Sequence, residues 1–136
     1  MHTMFAALAM KRILLIEDDQ LITNLIVILL EREGYEVTTS STAESGIALA
    51  AGHPPDLVLM DIALPGMDGL EATRILKTRD ATRRIPVVAL TAQARKEDAE
   101  RAARAGCDGF IPKPLSARAF LTEIANHIRR ASPRNE

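Results

Sequence analysis

Residues 56–69 read DLVLMDIALPGMDG. Four apolar residues, Leu57 to Met60, run without polar interruption, stop at Asp61, and give way to a loop punctuated by Pro65, Gly66 and Gly69. A short apolar run without alternation is the pattern of a strand covered on both faces, and such strands belong to parallel sheets. The pattern recurs. Arg12 to Ile16 (RILLI) is followed at once by Glu17-Asp18-Asp19, Val87 to Leu90 ends in Thr91, and Phe110-Ile111 ends at Pro112-Lys113-Pro114. Tyr35 to Thr39 (YEVTT) alternates and is rich in β-formers, which predicts a strand nearer an edge.

Between these runs lie helix-length segments. Leu21 to Arg32 is stopped by Gly34, and Ser41-Thr42-Ala43-Glu44 offers a capping box for a helix through Ala51, closed by Gly52 and Pro54. Leu70 to Lys77 follows the Asp61 loop, and Lys96 to Ala105 stops at Gly106. Ser116 is placed to cap a last helix with Ala119, Phe120, Ile124 and Ile128 on one stripe. Strand and helix alternate five times, so right-handed crossovers give an α/β fold with an open, doubly wound five-stranded parallel sheet.

In such sheets ligands sit beyond the carboxyl ends of the strands. Those ends carry Glu17 and Asp18, Asp61, Thr91 and Lys113. Carboxylates brought together repel: at ~4 Å and an effective dielectric of ~20 each pair costs ~4 kcal/mol. A hard divalent cation removes that repulsion, and an all-oxygen donor set favours Mg²⁺ over zinc or copper. Lysine as a point charge and threonine as a hydroxyl donor suit a tetrahedral oxyanion, which together with a carboxylate nucleophile describes phosphoryl transfer to form an acyl phosphate.

Four motifs carry a family resemblance: ILLIEDD (13–19), DLVLMDIALPGMDG (56–69), VVALTA (87–92) and GFIPKP (109–114). Over residues 11–130 or so the chain resembles the receiver domain of bacterial response regulators, the CheY-like family, and CDGFIPKPLS (107–116) is similar to DivK-type single-domain regulators. The resemblance implies a flavodoxin-like fold with strand order 2-1-3-4-5. It makes Asp61 the phosphorylated residue, Asp18 a direct Mg²⁺ ligand, Glu17 a more distant one acting through water, and the Ala63 carbonyl a further ligand. Thr91 and Lys113 would contact phosphoryl oxygens, Lys113-Pro114 would be a cis peptide bond, and Phe110 would be an aromatic switch. It also implies a histidine kinase or histidine phosphotransfer protein as donor, and a downstream protein partner reading the face of Phe110, helix 96–105 and the last helix. The expected state is a monomer or a weak, phosphorylation-dependent dimer. Self-phosphorylation and dephosphorylation would be the only catalysis. Ala63, two residues after Asp61, has no side chain to orient an attacking water, and Gln93, two after Thr91, is uncharged, which predicts slow spontaneous loss of the phosphoryl group and a need for a phosphatase or back-transfer.

Plainer roles compete at each position. Asp61 and Asp18 taken singly read as helix N-caps, Asp19 and Asp68 as a cap and a turn residue, Lys113 as a surface lysine, and Phe110 as core. His2, His53 and His127 lack ligand spacing and read as surface residues. The arginines at 83–84, 101–104 and 129–130 read as solvated faces, one of which would mark a partner surface. An aspartyl-nucleophile phosphatase would want a second carboxylate at position 63, which is Ala63. The flavodoxin type of cofactor binding needs a phosphate loop unlike Glu17-Asp18-Asp19.

Composition narrows the rest. Seventeen Lys+Arg against eighteen Asp+Glu give a net charge of -1, no electrostatic footprint for nucleic acid or an anionic membrane. The single cysteine, Cys107, fits a reducing cytoplasm and a small structural residue. The expected organisation is an N-terminal extension (1–10, too short to span a bilayer), a receiver domain (11–131) and a short tail (132–136) without a DNA-binding effector. A module from a hybrid kinase or longer regulator is the alternative.

Overall fold

The computed structural model describes residues 10–92, 95–113 and 116–131. Residues 1–9 with His2, Gln93, Pro114 with its peptide bond to Lys113, and the tail 132–136 lie outside the described residues.

Five strands, β1 (Arg12–Ile16), β2 (Glu36–Ser40), β3 (Leu57–Asp61), β4 (Val87–Thr91) and β5 (Gly109–Pro112), alternate with α1 (Gln20–Arg32), α2 (Ala43–Gly52), α3 (Gly69–Thr78), α4 (Lys96–Ala105) and α5 (Ala117–Ala131). All four strand pairings are parallel and the order is β2-β1-β3-β4-β5, the flavodoxin-like arrangement. The alternating strand β2 is an edge, while β3 and β4 are buried at every residue.

Successive side chains of a strand point to opposite faces, so each strand feeds two cores. Ile13, Leu15, Leu57, Leu59, Val88, Leu90 and Ile111 pack with Ile26 and Leu30 of α1 and Phe120, Ile124 and Ile128 of α5. Leu14, Ile16, Val58, Met60 and Val87 pack on the other face with Ile47 of α2 and Ala72 and Leu76 of α3. A smaller cluster joins Leu70 and Ala89 to Ala102 and Ala105 of α4, with Phe110 and Cys107 against it.

Three local expectations need correction. The cap of α2 is Thr42, whose hydroxyl accepts the Ser45 N–H at 3.2 Å, so the helix starts one residue later than the Ser41–Glu44 box implies. Ala119 is exposed, because it sits one helical step off the stripe; the buried residues of α5 are Phe120, Ile124, His127 and Ile128. His127 is buried, not superficial, since Gly109 leaves it room: a Cβ at Gly109 would lie 2.3 Å from its Nε2. Burial and then the Arg130 charge hold the His127 pKa below 6.5. At the start of α5 the Ser116 carbonyl accepts the Phe120 N–H at 2.8 Å.

Candidate functional site

The capping reading of the acidic residues is resolved by which of them cap. Asp19 caps α1, accepting the N–H groups of Leu21 and Ile22 at 2.9 and 3.1 Å. Asp68 caps α3 through the Glu71 N–H at 2.8 Å. Neither Asp18 nor Asp61 is a helix cap, which leaves their carboxylates for other work.

Glu17 follows β1, and its N–H is held by the Ser40 carbonyl at 2.9 Å. Asp61 ends β3 at the register position of Leu90. One carboxylate oxygen from each of Glu17, Asp18 and Asp61 falls within 4.8 Å of the others. Glu17 and Asp61 are both 3% exposed, whereas Asp18 faces solvent at the rim. Three carboxylates in this space exceed what one lysine neutralises. Lys113 Nζ stands 2.8 Å from Glu17 Oε1 and 3.5 Å from Asp61 Oδ1. The lysine is thus a partner within the site and not a solvated surface residue, its side chain only 15% exposed.

The titration behaviour follows from that packing. Burial pushes Glu17 above its ordinary range, Asp61 adds to the rise, and the Lys113 hydrogen bond opposes it. For Lys113 burial works against the charge, but its hydrogen bond to Glu17 and the Asp61 carboxylate outweigh it and raise its pKa. The site therefore holds negative charge at a cost that the protein only partly offsets. That deficit, with oxygen-only donors, fits a hard divalent cation.

The backbone fixes the remaining members. Asp61 Oδ1 accepts the Ala63 N–H at 3.0 Å, so the loop after β3 turns around the carboxylate. Thr91, 3% exposed at the end of β4, accepts the Lys113 N–H on its carbonyl at 2.6 Å and ties the two strand ends together. Glu17 Oε2 accepts the Asp19 N–H at 3.0 Å. Phe110 is half-buried beside Ala89 in register, against the α3–α4 cluster. All the sequence-derived positions except Phe110 therefore meet at one end of the sheet.

Gly69 was legible in the sequence only as loop punctuation, yet it bears on the site directly. A Cβ there would lie 2.3 Å from the Asp61 carbonyl oxygen and 2.7 Å from the Ile62 Cα. The available signal was the short interval between Asp61 and the first residue of α3, which forces the helix start back onto the strand end. Among the described residues no helix is long and apolar enough to cross a membrane.

Comparison with known proteins agrees with this geometry. The chain is 42% identical over 118 residues to the polar-differentiation response regulator DivK of Brucella anthropi, covering 87% of this chain and 96% of that protein. The receiver domain of a Pseudomonas aeruginosa sensor histidine kinase, solved with a magnesium ion coordinated in its active-site cleft, superposes with a TM-score of 0.82 at 32% identity, covering 89% of this chain and 99% of that one. A CheY-like receiver domain protein from Methanospirillum hungatei gives a TM-score of 0.83 at 32% identity, over 90% of this chain and 97% of its own. The model of the response regulator receiver domain matches residues 13–125. With the fold, the strand order and the acidic strand-end cluster in agreement, the chain belongs to the response regulator receiver domain family.

Proposed function

We propose that Asp61 is the phosphoacceptor of a two-component or phosphorelay system and that the acidic cluster binds Mg²⁺ for that transfer. The observation that carries this reading is the buried Asp61 carboxylate, with Glu17 and Asp18 within 4.8 Å and Lys113 Nζ 3.5 Å from its Oδ1. Asp18, Glu17, Asp61 and the Ala63 carbonyl are the groups to hold the ion. Bound there, Mg²⁺ supplies charge neutralisation for the incoming phosphoryl oxygens.

A carboxylate oxygen of Asp61 attacks the phosphorus, and the bond from phosphorus to the donor's histidine nitrogen, or to a small phosphodonor's oxygen, breaks. Lys113 then exchanges its contact with Glu17 for one with a phosphoryl oxygen, and the Thr91 hydroxyl donates to another. Because the Thr91 carbonyl holds the Lys113 N–H, a shift at either is felt by both. The consequence reaches Phe110, one strand away, and biases the surface of α4, β5 and α5 toward a partner-binding state. A histidine kinase or histidine phosphotransfer protein is the donor class, and a protein reading that surface is the output. The DivK relative, matched over 96% of its length, supports a single-domain regulator, and a cytoplasmic location belongs to the same reading.

The site assignment is tested by incubating the protein with Mg²⁺ and acetyl phosphate, reducing with borohydride and mapping peptides. Homoserine at position 61 is expected, and reduction product at any other position refutes the assignment. Ala63 has no side chain to orient water toward the acyl phosphate. Purified phosphoprotein is therefore expected to keep its label for hours, which a time course of label retention reads directly; loss within seconds contradicts it.

A further inference from the structure

His127 is a buried titratable group that the acidic site does not use. Its side chain is 8% exposed, and its ring fills the place a side chain at Gly109 would take. A Cβ at Gly109 would lie 2.3 Å from Nε2, 2.5 Å from Cε1 and 3.2 Å from Cδ2. The ring edge therefore rests on the first residue of β5, one before Phe110 and four before Lys113.

The surroundings suit the neutral ring. Nδ1 lies 3.4 Å from an Arg130 nitrogen and Nε2 lies 3.7 Å from Glu123 Oε1. A guanidinium has no acceptor, so Nδ1 is the bare nitrogen and Nε2 carries the proton. A second proton can enter only at Nδ1, where it removes that acceptor and meets the Arg130 charge. Burial and then Arg130 oppose this proton, while Glu123 and Asp108 favour it. The remaining charge nearby is Lys77 of α3, paired with Asp108 at 2.8 Å. The ring also lines a cavity of about 230 Å³ with Pro86, Asp108, Arg130 and Ala131. Asp108 Oδ2 accepts from the Val87 N–H and from Lys77 Nζ, both at 2.8 Å, which leaves Oδ1 outside those bonds.

We propose that His127 is a proton-operated latch on β5: the neutral ring is seated on Gly109, and the protonated ring leaves that seat for the cavity, exchanging Arg130 for the Asp108 carboxylate. The only chemical step is transfer of a proton from solvent to Nδ1. The ring cannot move inward, because the Gly109 backbone stands there. The cavity supplies the room and Asp108 the opposite charge. An unseated ring no longer packs α5 against the start of β5. That the α4–β5–α5 surface then answers to pH as well as to phosphorylation rests on the reading of that surface as the output; the latch itself does not.

The test is an NMR titration of the unphosphorylated protein between about pH 7.5 and 4.5, following the His127 ring and the Gly109 and Phe110 amides. Its result is independent of whether Asp61 accepts a phosphoryl group. The Gly109 amide is expected to move with the midpoint of the ring, below 6.5, and to lose that transition in His127→Gln. Gly109→Ala places a methyl in the ring's seat, which should free the ring at every pH and bring its midpoint back toward 6.5. Arg130→Gln, at an exposed position, should raise the midpoint as well by removing the like charge. A Gly109 amide that ignores the ring's titration, or that titrates unchanged in His127→Gln, overturns the proposal. So does a His127 midpoint unmoved in both Gly109→Ala and Arg130→Gln.

Discussion

At the scale of single residues, His127 shows how position overrides residue type. It lies on α5 with its ring in the space that Gly109 leaves, Nε2 3.7 Å from Glu123 Oε1 and Nδ1 3.4 Å from an Arg130 nitrogen. Because its folded pKa lies below 6.5, the unfolded chain binds a proton that the folded protein refuses. Its contribution to stability is therefore complete above about pH 6.5 and is lost as pH falls through the lowered value. Urea midpoints measured from pH 7.5 to 5 should decline in the wild type, and His127→Gln should flatten that decline; parallel curves contradict it. Nothing in the sequence announces this burial, because it depends on Gly109 coming to lie opposite His127 across a packed interface. The site carboxylates were readable for the opposite reason: each directly follows an apolar run, and parallel pairing brings all such ends to one side.

At the scale of elements, the functional end of the sheet depends on how tightly helices start behind strands. α1 starts at Gln20 behind its Asp19 cap, two residues after Asp18, and α3 starts at Gly69 against the backbone of Asp61. The strand boundaries read from apolar runs agree with the structure to within a residue or so, since burial on both faces leaves little freedom. Cap identities are less legible, because Ser41 and Thr42 are chemically equivalent and only the backbone decides which one accepts the N–H. The Gly69 contact has a functional consequence. With no room for a Cβ 2.3 Å from the Asp61 carbonyl, Gly69→Ala must displace either α3 or the end of β3. A misplacement of about 1 Å at a reacting group can cost about a hundredfold in rate. Initial rates of labelling from acetyl phosphate should fall by that order in Gly69→Ala, while Gly52→Ala, where a Cβ meets nothing within 4 Å, should label normally. Equal rates in the two variants would show that the strand end tolerates the shift.

At the scale of the whole molecule, one sheet separates two cores and carries the site at the carboxyl ends of its strands. Phe120 is 1% exposed and packs with Ile111, Ile124 and Leu90, away from the carboxylates. Phe120→Ala should therefore cost about 3–5 kcal/mol of stability, a large fraction of the roughly 5–15 kcal/mol available to a domain. Denaturant unfolding reads that loss, and a change below about 1 kcal/mol contradicts the packing described. The architecture was legible because βα alternation and right-handed crossovers leave few topologies. The strand order came from the family resemblance.

The central claim is that the strand ends assemble one phosphoacceptor around Asp61. Its most direct test is labelling by a small phosphodonor, comparing wild type with Asp61→Asn, each with Mg²⁺ and with the metal chelated. Wild type should label only with Mg²⁺, and Asp61→Asn should remain unlabelled in both conditions. Equal labelling of the two proteins contradicts the account.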